Sequence, residues 1–150
     1  MKTMLILAAA TAAFVATPAM AAGEARVEAR GGIAFANGNE EAIAGIAAGY
    51  DFDLGDTAFA GVEVSGDKLL VSDTNVILGT TGRIGAKLGT ATKLYAEGGY
   101  SFGEGEDAPH IGVGVEQKFG TSLYGKLGYR LFLNEGTNIN AVVVGLGAKF

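Results

Sequence analysis

Residues 139–150, INAVVVGLGAKF, decide how the rest of the chain is read. Val142, Val144, Leu146, Ala148 and Phe150 fall on one parity, while Gly145, Gly147 and Lys149 fall on the other. A helix would repeat its apolar positions at three- and four-residue intervals, whereas this segment repeats at two. It therefore predicts a strand with one apolar face and one small or polar face.

The same period recurs upstream. Val27, Ala29, Gly31, Ile33 and Phe35 oppose Arg26, Glu28 and Arg30; Ala42 through Phe52 on the even positions oppose Gly45, Gly49, Asp51 and Asp53. Segments 57–65, 75–88, 92–102, 109–119 and 122–133 read alike, with Glu63, Arg83, Lys87, Glu97, Glu116, Lys126 and Arg130 on the polar parity. Turn chemistry separates them: Asn37-Gly38, Gly55-Asp56, Ser65-Gly66-Asp67, Gly89-Thr90, Gly103 to Asp107, Gly120-Thr121 and Asn134-Glu135-Gly136. The odd-numbered connections run about 5, 9, 7 and 4 residues and the even-numbered ones about 3 or 4. Eight strands joined this way predict an all-β, antiparallel, up-and-down meander with both ends of the chain on one side.

Ahead of it, Lys2 precedes an apolar run from Met4 to Val15, then Thr17-Pro18 and Ala19-Met20-Ala21. A transmembrane helix needs about 20 apolar residues; this run is shorter and ends in the small residues that signal peptidase accepts. Residues 1–21 are expected to be a signal peptide cleaved after Ala21, leaving 22–150 as one barrel domain. Composition narrows the function classes. The chain carries a net charge of −5, with 11 Lys plus Arg scattered singly, so no basic stripe is offered to nucleic acid. It contains no Cys, which removes disulfides, thiolate zinc sites and thiol catalysis. A mean hydropathy of +0.30 is too high for a disordered acidic chain.

Alternation alone leaves two arrangements open. A soluble barrel of the lipocalin kind turns its apolar parity inward; an outer-membrane barrel turns it toward lipid and encloses a polar lumen. Two features favour the second. The apolar-parity aromatics sit near strand ends, with Tyr50, Phe52, Phe119 and Phe150 at the short-turn end and Phe35, Tyr100 and Phe102 at the other, as two girdles at two membrane interfaces would require. The polar parity mixes charge signs and is interleaved with Gly45, Gly49, Gly85, Gly99, Gly112, Gly114 and Gly128. A narrow lumen needs small residues beside long ones, and its ions must pair. Arg26, Arg30, Arg83, Lys87, Lys126 and Arg130 are expected to pair there with Glu28, Glu63, Glu97 and Glu116. Lys93, Lys118 and Lys149, near strand ends, are expected to reach water.

With its last strand alternating up to the aromatic Phe150, its leader and its eight-strand meander, the chain resembles the small outer-membrane barrel families: the OmpA transmembrane domain, OmpX and opacity-type surface antigens. The resemblance implies residence in the outer membrane of a Gram-negative cell, contact with its lipid and lipopolysaccharide, and recognition of Phe150 by the barrel assembly machinery. It also implies porin-like topology, with the loops around Asn37, Asp67 to Asp73, Glu104 to Asp107 and Glu135 outside and both ends in the periplasm. Opacity-type adhesins carry long loops; here the longest is about 9 residues, a departure that weighs against adhesion.

Chemistry is sought in the same residues. Ser101 and His110 share the inward parity at one end of a hairpin, with Glu104 or Glu106 in reach as orienting acids, yet they lack the spacing of lipid-modifying families. The acids Glu104, Glu106 and Asp107 lack the ligand spacing of a calcium loop, and cations bridging Glu40, Glu41, Asp67 and Asp73 to lipopolysaccharide would be unspecific. No catalytic, cofactor or metal site is expected. Eight strands enclose only enough room for side chains, so open conduction is not expected either. The expected function is that of a structural or surface barrel, monomeric, with a closed lumen and acidic loops; the alternative is a surface antigen or adhesin binding a ligand or cations through those loops.

Overall fold

The computed structural model describes residues 22–70, 75–103 and 107–150. The expected signal peptide, Asp73, Glu104 and Glu106 lie outside the described residues. Eight strands follow in chain order: β1 (Gly23–Ala36), β2 (Asn39–Leu54), β3 (Ala58–Leu69), β4 (Ile77–Leu88), β5 (Thr92–Phe102), β6 (Ala108–Phe119), β7 (Leu123–Phe132) and β8 (Ile139–Lys149). Every neighbour in sequence pairs antiparallel, and β8 closes on β1 with Arg26 opposite Lys149 and Phe35 opposite Asn140, so the sheet is a closed barrel without an edge.

The strands are 10 to 16 residues long, enough for the 9 to 11 residues with which a tilted strand crosses a bilayer. Two sequence expectations need correction. The break at Ser65-Gly66-Asp67 does not occur, because β3 continues to Leu69 and Asp67 faces into the barrel against Arg30. A Gly-Asp dipeptide is turn chemistry only where both residues are solvated, and here the carboxylate has a buried cation to meet. The first connection is Asn37-Gly38 alone, not five residues: φ is 50° at Asn37 and 80° at Gly38, the left-handed pair that a two-residue hairpin of matched twist demands. The remaining loop-end connections are residues 70–76, 103–107 and 133–138, and the opposite end carries 55–57, 89–91 and 120–122.

The parity falls inside out relative to a soluble protein. Ile46 is 70% exposed and Leu146 69%, and Val62, Ile84, Val113, Leu127 and Val144 are exposed as well, whereas Arg26, Asp51, Glu63, Arg83, Glu116 and Lys126 are buried. A belt of exposed aliphatic side chains around a whole sheet is far larger than the apolar patches soluble monomers carry. The core of the molecule is thus the lumen, and it contains three aromatic rings that alternation did not single out: Phe59, Tyr95 and Tyr124, all inward and buried.

Inward glycines make room for these long side chains. A Cβ added to Gly147 would stand 2.6 Å from Tyr124 Cε1, and one on Gly85 would stand 2.8 Å from Phe59 Cε1. The same Cβ atoms would come closer still to the neighbouring strand, at Val27 O and Leu94 O respectively, so these glycines serve both the close backbone approach and the filled lumen.

Candidate functional site

The candidate site is the lumen, and its register has a simple construction. Several pairs of interacting side chains stand on strands two apart, with a glycine on the strand between. Arg26 is opposite Gly49, and Gly49 is opposite Glu63; Arg30, Gly45 and Asp67 form the same row, as do Asp51, Gly61 and Arg83, and Glu97, Gly112 and Arg130. Neighbouring strands lie about 4.8 Å apart, so side chains two strands apart must cross roughly twice that distance, and a Cβ on the middle strand would stand in the way. At Gly49 that Cβ would be 2.7 Å from Arg26 Nη2, and at Gly112 it would be 3.0 Å from Glu97 Oε1.

Glu63 is the hub of the loop-side half. Its Oε2 accepts from Arg26 Nη1 at 2.7 Å and its Oε1 from Arg30 Nη1 at 2.8 Å, with Lys126 Nζ at 3.5 Å and Arg130 Nη2 at 3.9 Å. Arg30 also donates through Nε and Nη2 to both oxygens of Asp67. Glu97 takes Arg130 at 2.7 Å. Glu28 takes Lys126 Nζ at 2.5 Å and accepts from the Tyr124 hydroxyl at 2.7 Å.

Toward the short-turn end Asp51 takes over. It accepts from Arg83 Nε at 2.9 Å and from Lys93 Nζ at 3.0 Å, while Arg83 Nη1 reaches Glu116 at 3.0 Å. Glu24 draws in Lys93 at 2.7 Å, Lys149 at 3.1 Å and Lys118 at 3.7 Å, and Lys149 is ion-paired to Glu116 as well. The buried aromatics cover the same cations: Arg83 lies 5.3 Å from the Phe59 ring centre and 5.1 Å from that of Tyr95, and Lys149 lies 5.3 Å from that of Tyr124.

Several expectations about the polar parity are thereby revised. Lys149 is buried and Lys93 only slightly exposed, because Glu24, Asp51 and Glu116 hold them, whereas Lys118 stays partly exposed beside Glu24. Lys87 pairs with Asp53 at 2.6 Å in a half-exposed position near the short turns, apart from the four expected glutamates. Asp67 is not a loop acid open to cations. The apparent excess of bases shrinks to one once Glu24, Asp51, Asp53 and Asp67 are included, with Lys87 on Asp53 and Lys118 beside Glu24 at the barrel end. The other bases, Arg26, Arg30, Arg83, Lys93, Lys126, Arg130 and Lys149, face the carboxylates of Glu24, Glu28, Asp51, Glu63, Asp67, Glu97 and Glu116.

Ser101 and His110 do meet. Ser101 Oγ lies 3.1 Å from His110 Nδ1, and Thr81 Oγ1 lies 2.9 Å from Nε2 across Gly99. Both ring nitrogens are occupied by hydroxyls, and His110 is only 1% exposed. Among the described residues no carboxylate orients the ring, as the third member that activates a serine would; the expected orienting acids Glu104 and Glu106 lie outside the described residues. Among the described residues, no group of three His, Cys, Asp or Glu side chains is placed to hold a metal ion.

The aromatics Phe35, Tyr100 and Phe102 lie at the loop end, with Tyr50, Phe52, Phe119 and Phe150 at the other. Within them Tyr50 and Phe52 are 4.9 Å apart and Tyr100 and Phe102 5.1 Å, in tilted pairs. Phe119 and Phe150 are exposed, and Phe150 exchanges backbone hydrogen bonds of 3.0 Å with Ala25.

No protein-family model matches the chain, and no curated protein matches it. Solved structures do. The N-terminal β-barrel domain of Pseudomonas aeruginosa OprF superimposes with a TM-score of 0.65 at 15% identity, covering 85% of this chain and 97% of that one. Ail, the attachment invasion locus protein of Yersinia pestis, gives 0.61 at 10% identity, covering 87% of this chain and 100% of that one. The outer membrane enzyme PagL gives 0.62 at 12% identity, covering 81% and 97%. Barrels of this shape therefore include an enzyme, and shape alone does not separate the activities. Eight antiparallel strands, a charged lumen and an apolar exterior identify this chain as having the fold of the small eight-stranded outer-membrane β-barrels.

Proposed function

We propose that this protein is a structural or surface barrel of the outer membrane whose lumen is closed by paired charges, and that it is neither an enzyme nor a diffusion pore. The observation that carries the reading is the contrast between parities: buried ion pairs centred on Glu63 and Asp51 inside, and a continuous aliphatic belt between two aromatic girdles outside. An ion-paired lumen that spans the barrel from Asp67 to Glu24 leaves no water column for solutes, and eight strands are too few for one. Against catalysis stands His110, whose two ring nitrogens are engaged by the Thr81 and Ser101 hydroxyls, with no acid beside it among the described residues. Against adhesion through long loops stands the two-residue first hairpin.

On this reading the belt contacts outer-membrane lipid and lipopolysaccharide, and the outward row of β8 ending on Phe150 is what the barrel assembly machinery handles. The chain reaches that membrane by export with cleavage after Ala21, acts as a monomer, and takes no nucleic acid and no cofactor. Membrane barrels resist detergent while their strands stay paired. Unboiled outer-membrane fractions should therefore show the protein migrating faster on a gel than boiled ones. Recovery in the soluble periplasm, without such a shift, would refute the assignment.

A further inference from the structure

Above the charge network the lumen changes character. At the loop end lies a cavity of about 160 Å³ walled by Ile43, Leu69, Ile77, Phe132, Ile139 and Val143. All six sit on the parity that is charged lower down, so this stretch is an apolar chamber set inside an otherwise ionic lumen. Its floor is formed by Arg30, Asp67, Arg130 and Ser101. Each of these is already engaged: Arg30 with Asp67 and Glu63, Arg130 with Glu97, and Ser101 with His110. The floor therefore presents ion pairs and not a free charge, and a charged guest would have to break a pair to be held. One group in the wall differs. Asn134 lines the chamber, and its Oδ1 is buried without a hydrogen-bond partner. A buried amide oxygen beside aliphatic walls is costly until a donor reaches it.

We propose that this chamber binds a small neutral molecule with an apolar body and a single hydrogen-bond donor, of the size and kind of a simple aromatic alcohol. Volume sets the size, since an engineered cavity of about 150 Å³ lined by Leu, Ile and Phe takes up benzene. The aliphatic and phenyl wall sets the body, the paired floor sets the neutrality, and Asn134 Oδ1 sets the donor. The ion pairs beneath make the chamber a dead end, so the guest is held and not passed on. The site goes beyond the structural role proposed above, and that role does not depend on it.

The test is a titration of the whole barrel in lipid nanodiscs, with isoleucine methyl groups labelled for NMR and benzyl alcohol and toluene as probes. Ile43, Ile77 and Ile139 should shift saturably. The outward Ile46, Ile84 and Ile111 should shift in proportion to probe, as partition into lipid requires. Ala141 lines the chamber and is fully buried, so Ala141→Phe should fill the space and abolish the saturable shifts. If that variant does not show the folded gel migration, Val143→Phe supplies the same measurement. Asn134→Leu should weaken benzyl alcohol about 5- to 10-fold and leave toluene within about twofold, as the loss of one hydrogen bond predicts. Proportional shifts at inward and outward methyls alike, or saturation that survives the filled chamber, would overturn the site. Equal losses for both probes in Asn134→Leu would overturn the assignment of the donor. Neither failure touches the gel shift, so the barrel reading is tested separately.

Discussion

Glu63→Gln should lower the unfolding free energy of the barrel by about 3–5 kcal/mol, the cost of leaving buried cations without their partner. The substitution keeps the shape and removes one charge from a position that Arg26, Arg30, Lys126 and Arg130 all face. Part of the loss is offset where second partners exist. Arg30 keeps Asp67 and Lys126 keeps Glu28, but Arg26 retains only Asp51 and Glu28 at 3.6 and 3.7 Å. Urea unfolding in detergent, followed by the gel shift, measures the change. Lys87→Met provides the scale: its pair with Asp53 is half-exposed and should be worth no more than about 1 kcal/mol. Similar losses in the two variants would mean that the lumen is as wet as the surface.

The second large effect is expected on the other parity. Val113→Arg and Leu127→Arg each place a guanidinium on the exposed aliphatic belt, where a charge at the bilayer midplane costs roughly 2–4 kcal/mol. Folded barrel should fail to accumulate in the outer membrane, as judged by the fraction showing fast migration, while Val113→Leu should behave as the unaltered protein. If Val113→Arg accumulates as well as Val113→Leu, the belt does not face lipid and the outer-membrane assignment fails.

Much of this architecture is legible in the chain because strand alternation has a period of 2, and a lipid-facing row must be apolar over its whole length. Val113 and Glu116 declare opposite faces without any knowledge of their neighbours. What sequence could not supply was register. That Glu63 meets Arg26 depends on which residue of β2 stands between them, and only the pairing of β1, β2 and β3 reveals that it is Gly49. Asp67 was lost to a turn for the same reason, since Ser-Gly-Asp is turn chemistry until an arginine two strands away claims the carboxylate. Asp51 and Glu24 sit on the correct parity, but nothing local ranks them above Asp53, which pairs only at the barrel's end. Phe59, Tyr95 and Tyr124 were hidden because inward aromatics run against a polar-lumen pattern; their signal was the set of inward glycines opposite them, which a volume count would have asked someone to fill. The apolar chamber escaped on similar grounds, for Ile43, Leu69 and Val143 look like breaks in alternation.

Recording from the unaltered barrel in planar bilayers tests the closed lumen most directly. With Glu63, Asp51 and Glu116 holding the arginines across its bore, the protein should give no steady conductance at any applied potential that the bilayer survives. A stable single-channel step, reproduced across independent refolding preparations, would contradict the plug and make the protein a pore.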